Sequence, residues 1–295
     1  MLGFLDRIKK VAACEANILI EGDPGVGSEC IALLLHQQSP RSEEPFLARS
    51  CTAIPPDCFE SEMFGYSLKS PHGEESHGCG AFLEADKGTL FLDEIGDLGY
   101  SQQTEILMAI KQKIIHPVGT EANVRVNPRI ICSTTRDLRE CIKLNRFRDD
   151  LYYSTAIVVL TLQPLREQRQ DIIPLARYYA GRASKWLRTL TIEAENRLLA
   201  YDWPGNIREL RATMEQAVLL AAGQAIQADE LNFPTKTYHL NGSSRLLADI
   251  QRKHILSVIK ICNGNKTDAA RALGVARSTL VLKLKTISAA QPALS

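Results

Sequence analysis

Four features that would assign the chain to a common class of protein are missing from its sequence. No apolar run reaches the roughly 20 residues that a membrane-spanning helix needs, and the first residues lack the pattern of a secretory signal peptide. None of the eight cysteines belongs to a C-x-x-C pair, which leaves no sign of a zinc or redox motif. The 35 lysines and arginines nearly balance the 34 acids, so the chain has no general attraction to nucleic acid. We therefore expect a cytoplasmic protein with reduced thiols and no membrane partner.

A glycine-rich turn organises the first part of the chain. It follows a short apolar run, Ile18–Ile20, and precedes an apolar stretch of helical length, Cys30–His36. Strand, glycine turn and helix in this order form a cradle for phosphate, because backbone N–H groups and the amino end of the helix face the anion. Gly22 and Gly27 fit the P-loop pattern G-x-x-x-x-G-K-[ST]. A tight turn without a ligand is the alternative. The candidate nucleotide-binding residues are Gly22, Asp23, Pro24, Gly25, Val26, Gly27, Ser28 and Glu29.

The P-loop lysine is missing, since Ser28 occupies its position and Glu29 follows. A charge-assisted hydrogen bond to phosphate is worth about 1.5–3 kcal/mol, so nucleotide affinity should fall by about one to two decades. Hydrolysis should suffer more, because this lysine also neutralises charge that develops on the transferred phosphoryl group. We expect ATPase activity to be weak or absent.

Two adjacent acids end a second apolar run, Gly88–Gly96. In doubly wound folds, an acid at the carboxyl end of such a strand lies beside the P-loop. There Asp93 can hold Mg²⁺ and Glu94 can polarise a water molecule. The alternative for an Asp-Glu pair is the amino end of a helix.

Apolar runs alternate with helical patterns over the first half of the chain, which predicts an α/β fold with a parallel sheet. The polar segment Tyr66–Gly78 predicts an exposed loop. Helical patterns without a strand signal follow Pro164, and the composition of 233–244 is that of a linker. The predicted strands lie within Ile18–Ile20, Phe46–Ser50, Gly88–Gly96, Pro128–Leu138 and Thr155–Leu160.

The charge balance changes near the carboxyl end, where residues 245–285 hold nine basic and two acidic side chains. Two short helical patterns separated at Gly274 suit a helix-turn-helix. The second would present its side chains to a DNA major groove, with lysines near the phosphates. A three-helix bundle with a solvated basic face is the alternative. The candidate DNA-binding residues are Lys266, Arg277, Ser278, Thr279, Lys283 and Lys285.

Together these segments resemble the AAA+ bacterial enhancer-binding proteins, which remodel sigma-54 RNA polymerase. The markers are Glu62–Gly65, Gly88–Gly96, Phe147–Tyr153, Pro164–Glu167, Trp203–Leu210 and the Fis-like helix-turn-helix. The resemblance implies a doubly wound AAA+ P-loop sheet, a helical lid and a carboxyl-terminal DNA-binding domain. The expected boundaries are 1–162 for the α/β subdomain, 163–233 for the lid, 234–244 for the linker and 245–295 for the DNA-binding domain.

The resemblance also implies roles for single residues. Gly22–Glu29 correspond to Walker A. Asp93 and Glu94 correspond to Walker B, which would be vestigial if ATP is no longer hydrolysed. Thr135 falls at the sensor I position, Arg148 matches an arginine finger supplied to a neighbouring subunit, and Arg208 matches the lid arginine that contacts nucleotide. The implied assembly is a homo-oligomer that is a dimer at rest and that can form a ring.

Several positions depart from the family pattern. The sensor I asparagine is replaced by Thr135, and Ser154 stands where a second arginine is usual. The G-A-F-T-G-A loop that contacts sigma-54 is replaced by residues near 69–74. With the missing lysine, these changes indicate a loss of the remodelling chemistry.

Three functions are therefore compared. The favoured one is a DNA-binding transcription regulator that uses a degenerate AAA+ module to oligomerise and to sense ATP, ADP or cyclic di-GMP, and that binds promoter DNA and RNA polymerase without sigma-54 remodelling. The alternative is an active ATPase that activates sigma-54 RNA polymerase. A P-loop kinase or GTPase is the third. The arginines available to a cyclic dinucleotide are Arg49, Arg136, Arg148 and Arg166.

Overall fold

The computed structural model describes residues 8–69, 75–183 and 188–233 apart from 222 and 224, and eight separate residues further along the chain. The chain divides into two compact units, Met1–Phe233 and Pro234–Ser295, which are described separately. Among the described residues, no helix is long and apolar enough to cross a membrane.

The elements of the first unit follow a helical segment at residues 8–12. The strands are β1 (Ile18–Gly22), β2 (Phe46–Ser50), β3 (Tyr66–Lys69), β4 (Glu75–Gly78), β5 (Thr89–Asp93), β6 (Ile114–Ile115), β7 (Val124–Arg125), β8 (Arg129–Thr134), β9 (Val158–Leu162), β10 (Thr189–Leu190) and β11 (Ala225–Ile226). The helices are α1 (Ser28–Gln37), α2 (Phe59–Phe64), α3 (Ala81–Glu84), α4 (Tyr100–Gln112), α5 (Leu138–Lys143), α6 (Asp149–Thr155), α7 (Arg169–Ala183), α8 (Ile192–Ala200) and α9 (Asn206–Leu220).

A parallel five-stranded sheet in the order β2-β5-β8-β1-β9 forms the centre of this unit. Alternate side chains enter two different core layers, with Ile18, Ile20 and Phe91 on one side and Leu19 and Leu90 on the other. Strands buried on both faces read as continuous apolar runs, which is why the sequence pattern identified them. The predicted doubly wound α/β fold is confirmed.

The lid helices α7, α8 and α9 enclose their own core. Trp203 is fully buried there and meets the ring of Tyr201 edge-on at 5.1 Å. The predicted helical lid is confirmed, with one addition. A two-residue parallel strand pair joins Thr189 to Ala225 and Leu190 to Ile226, which is too short to leave a sequence signal.

The prediction of an exposed loop over Tyr66–Gly78 was wrong for its two ends. They pair as antiparallel strands β3 and β4, with Tyr66 opposite Gly78 and Lys69 opposite Glu75. Glycines close the base of this hairpin by contact between backbones. Gly65 has a φ of +84°, and a Cβ at this position would lie 2.5 Å from the carbonyl oxygen of Gly78. Gly65, which directly precedes the predicted loop, therefore allows close backbone approach at the base of the hairpin.

The last strand of the sheet begins three residues later than predicted, at Val158 instead of Thr155. Thr155 ends α6, where its hydroxyl donates to the carbonyl oxygen of Leu151 at 2.9 Å. This bond to the preceding turn gives the hydroxyl group of Thr155 a partner within the helix.

In the second unit, the described residues 255, 266, 267, 270, 279, 280 and 284 are helical. Ile255, Ala270 and Leu280 are buried, as expected for the inward positions of a small helical domain. The predicted linker 234–244 lies outside the described residues.

Candidate functional site

The turn between β1 and α1 has the backbone of a phosphate cradle. Gly25 and Gly27 have φ angles of +80° and +94°, which only glycine adopts at little cost. The amide of Val26 donates to the carbonyl oxygen of Asp23 at 3.3 Å, and α1 begins one residue after Gly27. The left-handed glycines thus lead the chain directly into the amino end of a helix, where anions are favoured.

The lid is hydrogen-bonded to this turn. The side-chain amide of Asn206 donates to the carbonyl oxygen of Pro24 at 3.0 Å, and the backbone amide of Arg208 donates to that of Gly25 at 3.2 Å. The Asn206 side-chain oxygen also accepts a bond from the amide of Leu165 at 2.8 Å. The backbone of Arg208 therefore lies beside the glycine turn.

A second link joins the turn to the hinge of the lid, which is the 3-10 helix Leu165–Glu167 that leads into α7. Arg166 forms an ion pair with Asp23, with 2.8 Å between the guanidinium nitrogen and the carboxylate oxygen. A Cβ on Gly25 would collide with the carbonyl oxygen of Gly205. The lid therefore packs on the turn so closely that a side chain at position 25 would have no room.

The first two residues of α1 lack the positive charge that the P-loop pattern provides for phosphate. Ser28 is partly buried and Glu29 is exposed. The P-loop pattern has a lysine and a hydroxyl at these positions, whereas this chain has a hydroxyl and a carboxylate. Glu29 is favourable for the helix dipole, but it repels an anion that approaches the same helix end.

The two acids after β5 are held by the neighbouring strand. The hydroxyl of Ser133 donates a short bond to Asp93 and accepts the backbone amide of Glu94 at 3.1 Å. The backbone amide and the hydroxyl of Thr135 both donate to Glu94 Oε2, each at 3.0 Å. Glu94 has a φ of +58° and precedes a single 3-10 turn without capping it. Its side chain therefore faces Thr135 instead of serving as a helix cap.

Strand register brings these residues to one edge of the sheet. Leu92 lies opposite Cys132, and Ile20 lies opposite Ser133, so Asp93 is level with Ile20 across two strand spacings. This places Asp93 about 10 Å from β1, with the glycine turn two residues beyond Ile20. The turn, both carboxylates and Thr135 therefore share the carboxyl edge of the sheet, where ligands bind in open α/β folds.

Burial affects two other groups near this edge. It raises the pKa of Cys51 to about 12, reinforced by the charges of Asp93 and Asp97, so this thiol stays protonated and is not a nucleophile. Burial also raises the pKa of Glu21, against the opposing effect of Arg139.

Arg148 is held by groups of its own subunit. Its Nε and Nη2 atoms donate to the two carboxylate oxygens of Asp150 at 2.9 and 2.8 Å, and Nη1 donates to the Thr104 hydroxyl at 3.2 Å. The guanidinium carbon lies 5.3 Å from the ring centre of Tyr100. The hydrogen bond and charge of Asp150 raise the pKa of Arg148, so the group is cationic.

The sequence interpretation missed the residue that positions this arginine. Gln103 is fully buried, and its side-chain oxygen accepts the backbone amide of Arg148 at 2.9 Å. Its amide donates to the carbonyl oxygens of Leu98 and Arg146. A polar residue on the apolar side of the helical pattern 101–113 was the available signal. Ser154, at the position of the second arginine, donates to the carbonyl oxygen of Asp150 at 2.8 Å.

The four arginines considered for a cyclic dinucleotide are all paired with carboxylates. Arg49 pairs with Glu84 at 3.0 Å and Arg136 pairs with Asp97, while Arg148 and Arg166 have the partners described above. A ligand would have to replace these ion pairs, and the structure gives no support to a dinucleotide site built from them.

Two of the candidate DNA-binding residues can be located. Lys266 and Thr279 are helical and exposed. The amide of Thr267 donates to the side-chain oxygen of Asn265 at 3.0 Å, which caps the start of the helix that carries Lys266. Arg277, Ser278, Lys283 and Lys285 lie outside the described residues.

Comparison with known families gives three consecutive matches. Residues 1–161 match the sigma-54 interaction domain, residues 166–244 match the AAA+ ATPase lid domain, and residues 246–286 match the bacterial regulatory protein Fis family.

Among characterised proteins, the chain is 41% identical over 293 residues to the transcriptional regulatory protein ZraR of Salmonella typhimurium, covering 96% of this chain and 66% of that protein. It is 36% identical over 301 residues to the response regulator protein PilR of Pseudomonas aeruginosa, covering 97% of this chain and 68% of that protein. The chain therefore spans about two thirds of the length of these relatives.

Among solved structures, NtrX from Brucella abortus in complex with ATP is similar with a TM-score of 0.73 and 29% identity, covering 97% of this chain and 67% of that one. The same protein in complex with ADP gives a TM-score of 0.72 with 28% identity, covering 97% of this chain and 66% of that one.

Proposed function

Since the chain belongs to the AAA+ transcription regulators that combine a sigma-54 interaction domain with a Fis-type DNA-binding segment, we propose that it activates transcription by sigma-54 RNA polymerase from promoter DNA. The order of the three matched segments along one chain carries this proposal. The preference for a regulator that acts without sigma-54 has weaker support, because residues 1–161 match the sigma-54 interaction domain.

The carboxyl edge of the sheet supports nucleotide binding as part of this function. Gly22–Glu29 would hold the phosphates, with Thr135 and Arg208 beside them. ATP and ADP are the proposed ligands, because the related NtrX has been solved with each. Glu94 would orient water, and Arg148 would act on the nucleotide of a neighbouring subunit after leaving Asp150.

Asp93 fits a role in holding Mg²⁺ together with the nucleotide. Ser133 occupies Oδ1 of Asp93, and in the described part of the chain the other carboxylate oxygen has no hydrogen bond. Mg²⁺ is commonly bound by one or two carboxylates and the substrate phosphates. When bound, the ion would neutralise phosphate charge, which matters more here because the lysine is absent.

The remaining assignments follow from the same proposal. Residues 1–162 and 163–233 would form the AAA+ module, 234–244 the linker and 245–295 the DNA-binding domain. A homo-oligomer, either a dimer or a ring, would bring Arg148 to a neighbour, and binding to promoter DNA implies a cytoplasmic location.

A second candidate function is favoured by Ser28. In this version the AAA+ module binds nucleotide and assembles on DNA without remodelling polymerase, because the first turn of α1 lacks the cation that hydrolysis uses. Cyclic di-GMP as the effector stays a prediction that no contact in the described residues supports.

The test measures phosphate release at saturating ATP, nucleotide binding by calorimetry and open-complex formation at a sigma-54 promoter. If the activator proposal is correct, the unaltered protein opens the promoter when ATP is supplied, and Ser28→Lys raises turnover by about tenfold or more because it restores a charged phosphate contact. Ser42→Lys adds the same charge on an exposed loop and should change nothing.

The outcomes separate the two candidates. Nucleotide and DNA binding with no open complex, even in Ser28→Lys, supports the non-remodelling regulator and contradicts the activator. If neither the unaltered protein nor Ser28→Lys binds ATP, both the activator and the non-remodelling regulator are contradicted.

A further inference from the structure

A cavity lies at the opposite edge of the sheet from the candidate nucleotide site. It has a volume of about 270 Å³, and its wall includes Asn17, Pro128 and Ile157. These residues immediately precede β1, β8 and β9, so the cavity opens at the amino ends of the strands. Because β1 is five residues long, the cavity is separated from the glycine turn by about 16 Å of strand.

Cations outnumber acids in the wall of this cavity. Arg41, Lys113 and Arg129 line it together with a single acid, Glu15. Glu15 is already committed to Arg41 through two hydrogen bonds from the guanidinium group. Within the described residues, Lys113 and Arg129 have no carboxylate in ion-pair distance. The wall therefore carries an excess of positive charge.

Arg129 is the buried member of this group. Its side chain donates to the carbonyl oxygens of Val11 and Ala12 at 2.9 and 3.0 Å, at the carboxyl end of the helical segment 8–12. Helix carbonyls offset a buried charge only in part, and burial lowers the pKa of Arg129. A group of this kind supplies a positive field to the cavity without contacting a ligand directly.

Lys113 is the accessible member, and its backbone is held in an unfavourable conformation. It immediately follows α4 and has a φ of +55°, in the left-handed region where glycine is preferred. Its Nζ donates to the side-chain oxygen of Asn127 at 2.7 Å, a neutral partner. A lysine at this position brings an ammonium group to the wall at the expense of backbone strain.

Between these charges the wall combines apolar residues, with Phe82, Ile110 and Ile130 among them, and the side chains of Asn17 and Asn127. Apolar contacts with a few convergent polar groups are typical of small-molecule sites. A volume of about 270 Å³ suits a ring or short chain that carries one charged group.

We propose that this cavity binds a small organic anion, with an apolar body against the wall and a phosphate or carboxylate group at Lys113. Such a site is independent of the proposed promoter function, and its ligand would not compete with nucleotide.

Calorimetry on the full chain at low salt tests the proposal with phenyl phosphate, benzoate and uncharged benzyl alcohol. We expect one saturable site for an anionic probe, binding at least about tenfold more weakly for benzyl alcohol because it lacks the charge-assisted contact. Comparison of the two anions distinguishes a phosphate site from a carboxylate site.

Variants connect the binding to the cavity. Lys113→Asn, which suits a left-handed backbone, should weaken binding of the preferred anion by about tenfold or more. Lys87→Asn is the matched control, because Lys87 is exposed and has a φ of +61° but does not line the cavity. Glu15→Gln removes the acid and should strengthen binding.

Three results would overturn the proposal. They are the absence of saturable binding by either anion, equal losses in Lys113→Asn and Lys87→Asn, and competition by ATP.

Discussion

His36 is a histidine enclosed by the core on the inner side of α1. Its exposed fraction is 4%, its Nδ1 lies 3.0 Å from the Thr89 hydroxyl oxygen, and its ring centre lies 5.4 Å from that of Phe46. Burial lowers its pKa, and the nearby Arg129 acts in the same direction. The folded protein therefore prefers the neutral imidazole.

The consequence is a loss of stability in acid. The unfolded chain binds a proton at the ordinary histidine pKa of about 6.5, whereas the folded protein binds it only at lower pH. The contribution of His36 is complete above that pH and is lost as the pH falls through the lowered pKa. We expect the free energy of unfolding to fall between pH 7 and pH 5, by at most about 1.4 kcal/mol per pH unit from this group.

Urea unfolding at a series of pH values measures this effect. His36→Gln should flatten the pH dependence, whereas His116→Gln, at an exposed position, should leave it intact. Equal slopes in all three proteins would assign the acid sensitivity to other groups.

Single residues were predictable from the sequence where the backbone dictates their identity. The glycine turn and the acids after β5 belong to this class, because strand, turn and helix follow one another directly. The group around Arg148 was not predictable. Its support comes from Gln103, 45 residues earlier in the chain, and only the packing of α4 against α6 brings the two together.

At the scale of elements, the attachment of the lid depends on the amino end of α9. Asn206 is fully buried with a φ of +51°, and its side chain bonds both Leu165 and Pro24. It therefore joins the helix, the hinge and the glycine turn with two hydrogen bonds.

Asn206→Ala should destabilise the first unit by about 2–4 kcal/mol, because the buried amide of Leu165 and the part-buried carbonyl oxygen of Pro24 lose their partner and alanine disfavours a positive φ. Asn145→Ala is the matched control, since Asn145 has a φ of +54° and is exposed; it should cost only the backbone term. Chemical unfolding and protease resistance of the lid measure both variants. Similar losses in the two would show that the side-chain bonds of Asn206 contribute little.

Elements were predictable in proportion to their burial. The three central strands of the sheet, β5, β8 and β1, are the most buried and produce apolar runs, while the edge strands β2 and β9 are partly buried. The β3–β4 hairpin, the β6–β7 pair and the strand pair in the lid are short, and a two-stranded ribbon needs no continuous apolar pattern. Their positions depend on pairing with distant segments, which composition alone does not encode.

For the whole molecule, the neutral charge balance restricts DNA binding to the basic carboxyl-terminal segment. Lys266→Ala should lower affinity about equally for all DNA sequences and reduce the slope of log K against log salt by about 1, because one phosphate contact is lost. Lys143→Ala removes an exposed lysine from the first unit and should leave the slope unchanged. Titration of labelled DNA at several salt concentrations measures both. A change in base preference on loss of Lys266 would contradict its placement near the phosphates.

The order of domains was predictable because each has its own periodicity and charge. The choice between activator and non-remodelling regulator was not predictable, because it depends on how far the missing lysine ammonium group slows ATP hydrolysis.

The glycines at the base of the β3–β4 hairpin restrict which residues its stem can carry. Gly65 lies against the main chain of Gly78 and Gly80, while Val118 exchanges hydrogen bonds with Gly65 and Ser67 at the same point. A methyl group added at Gly65 would collide with the main chain of the opposite strand and separate β3 from β4. A side chain on Gly65 or Gly80 would therefore disturb the stem of the hairpin, whichever residues connect its two strands.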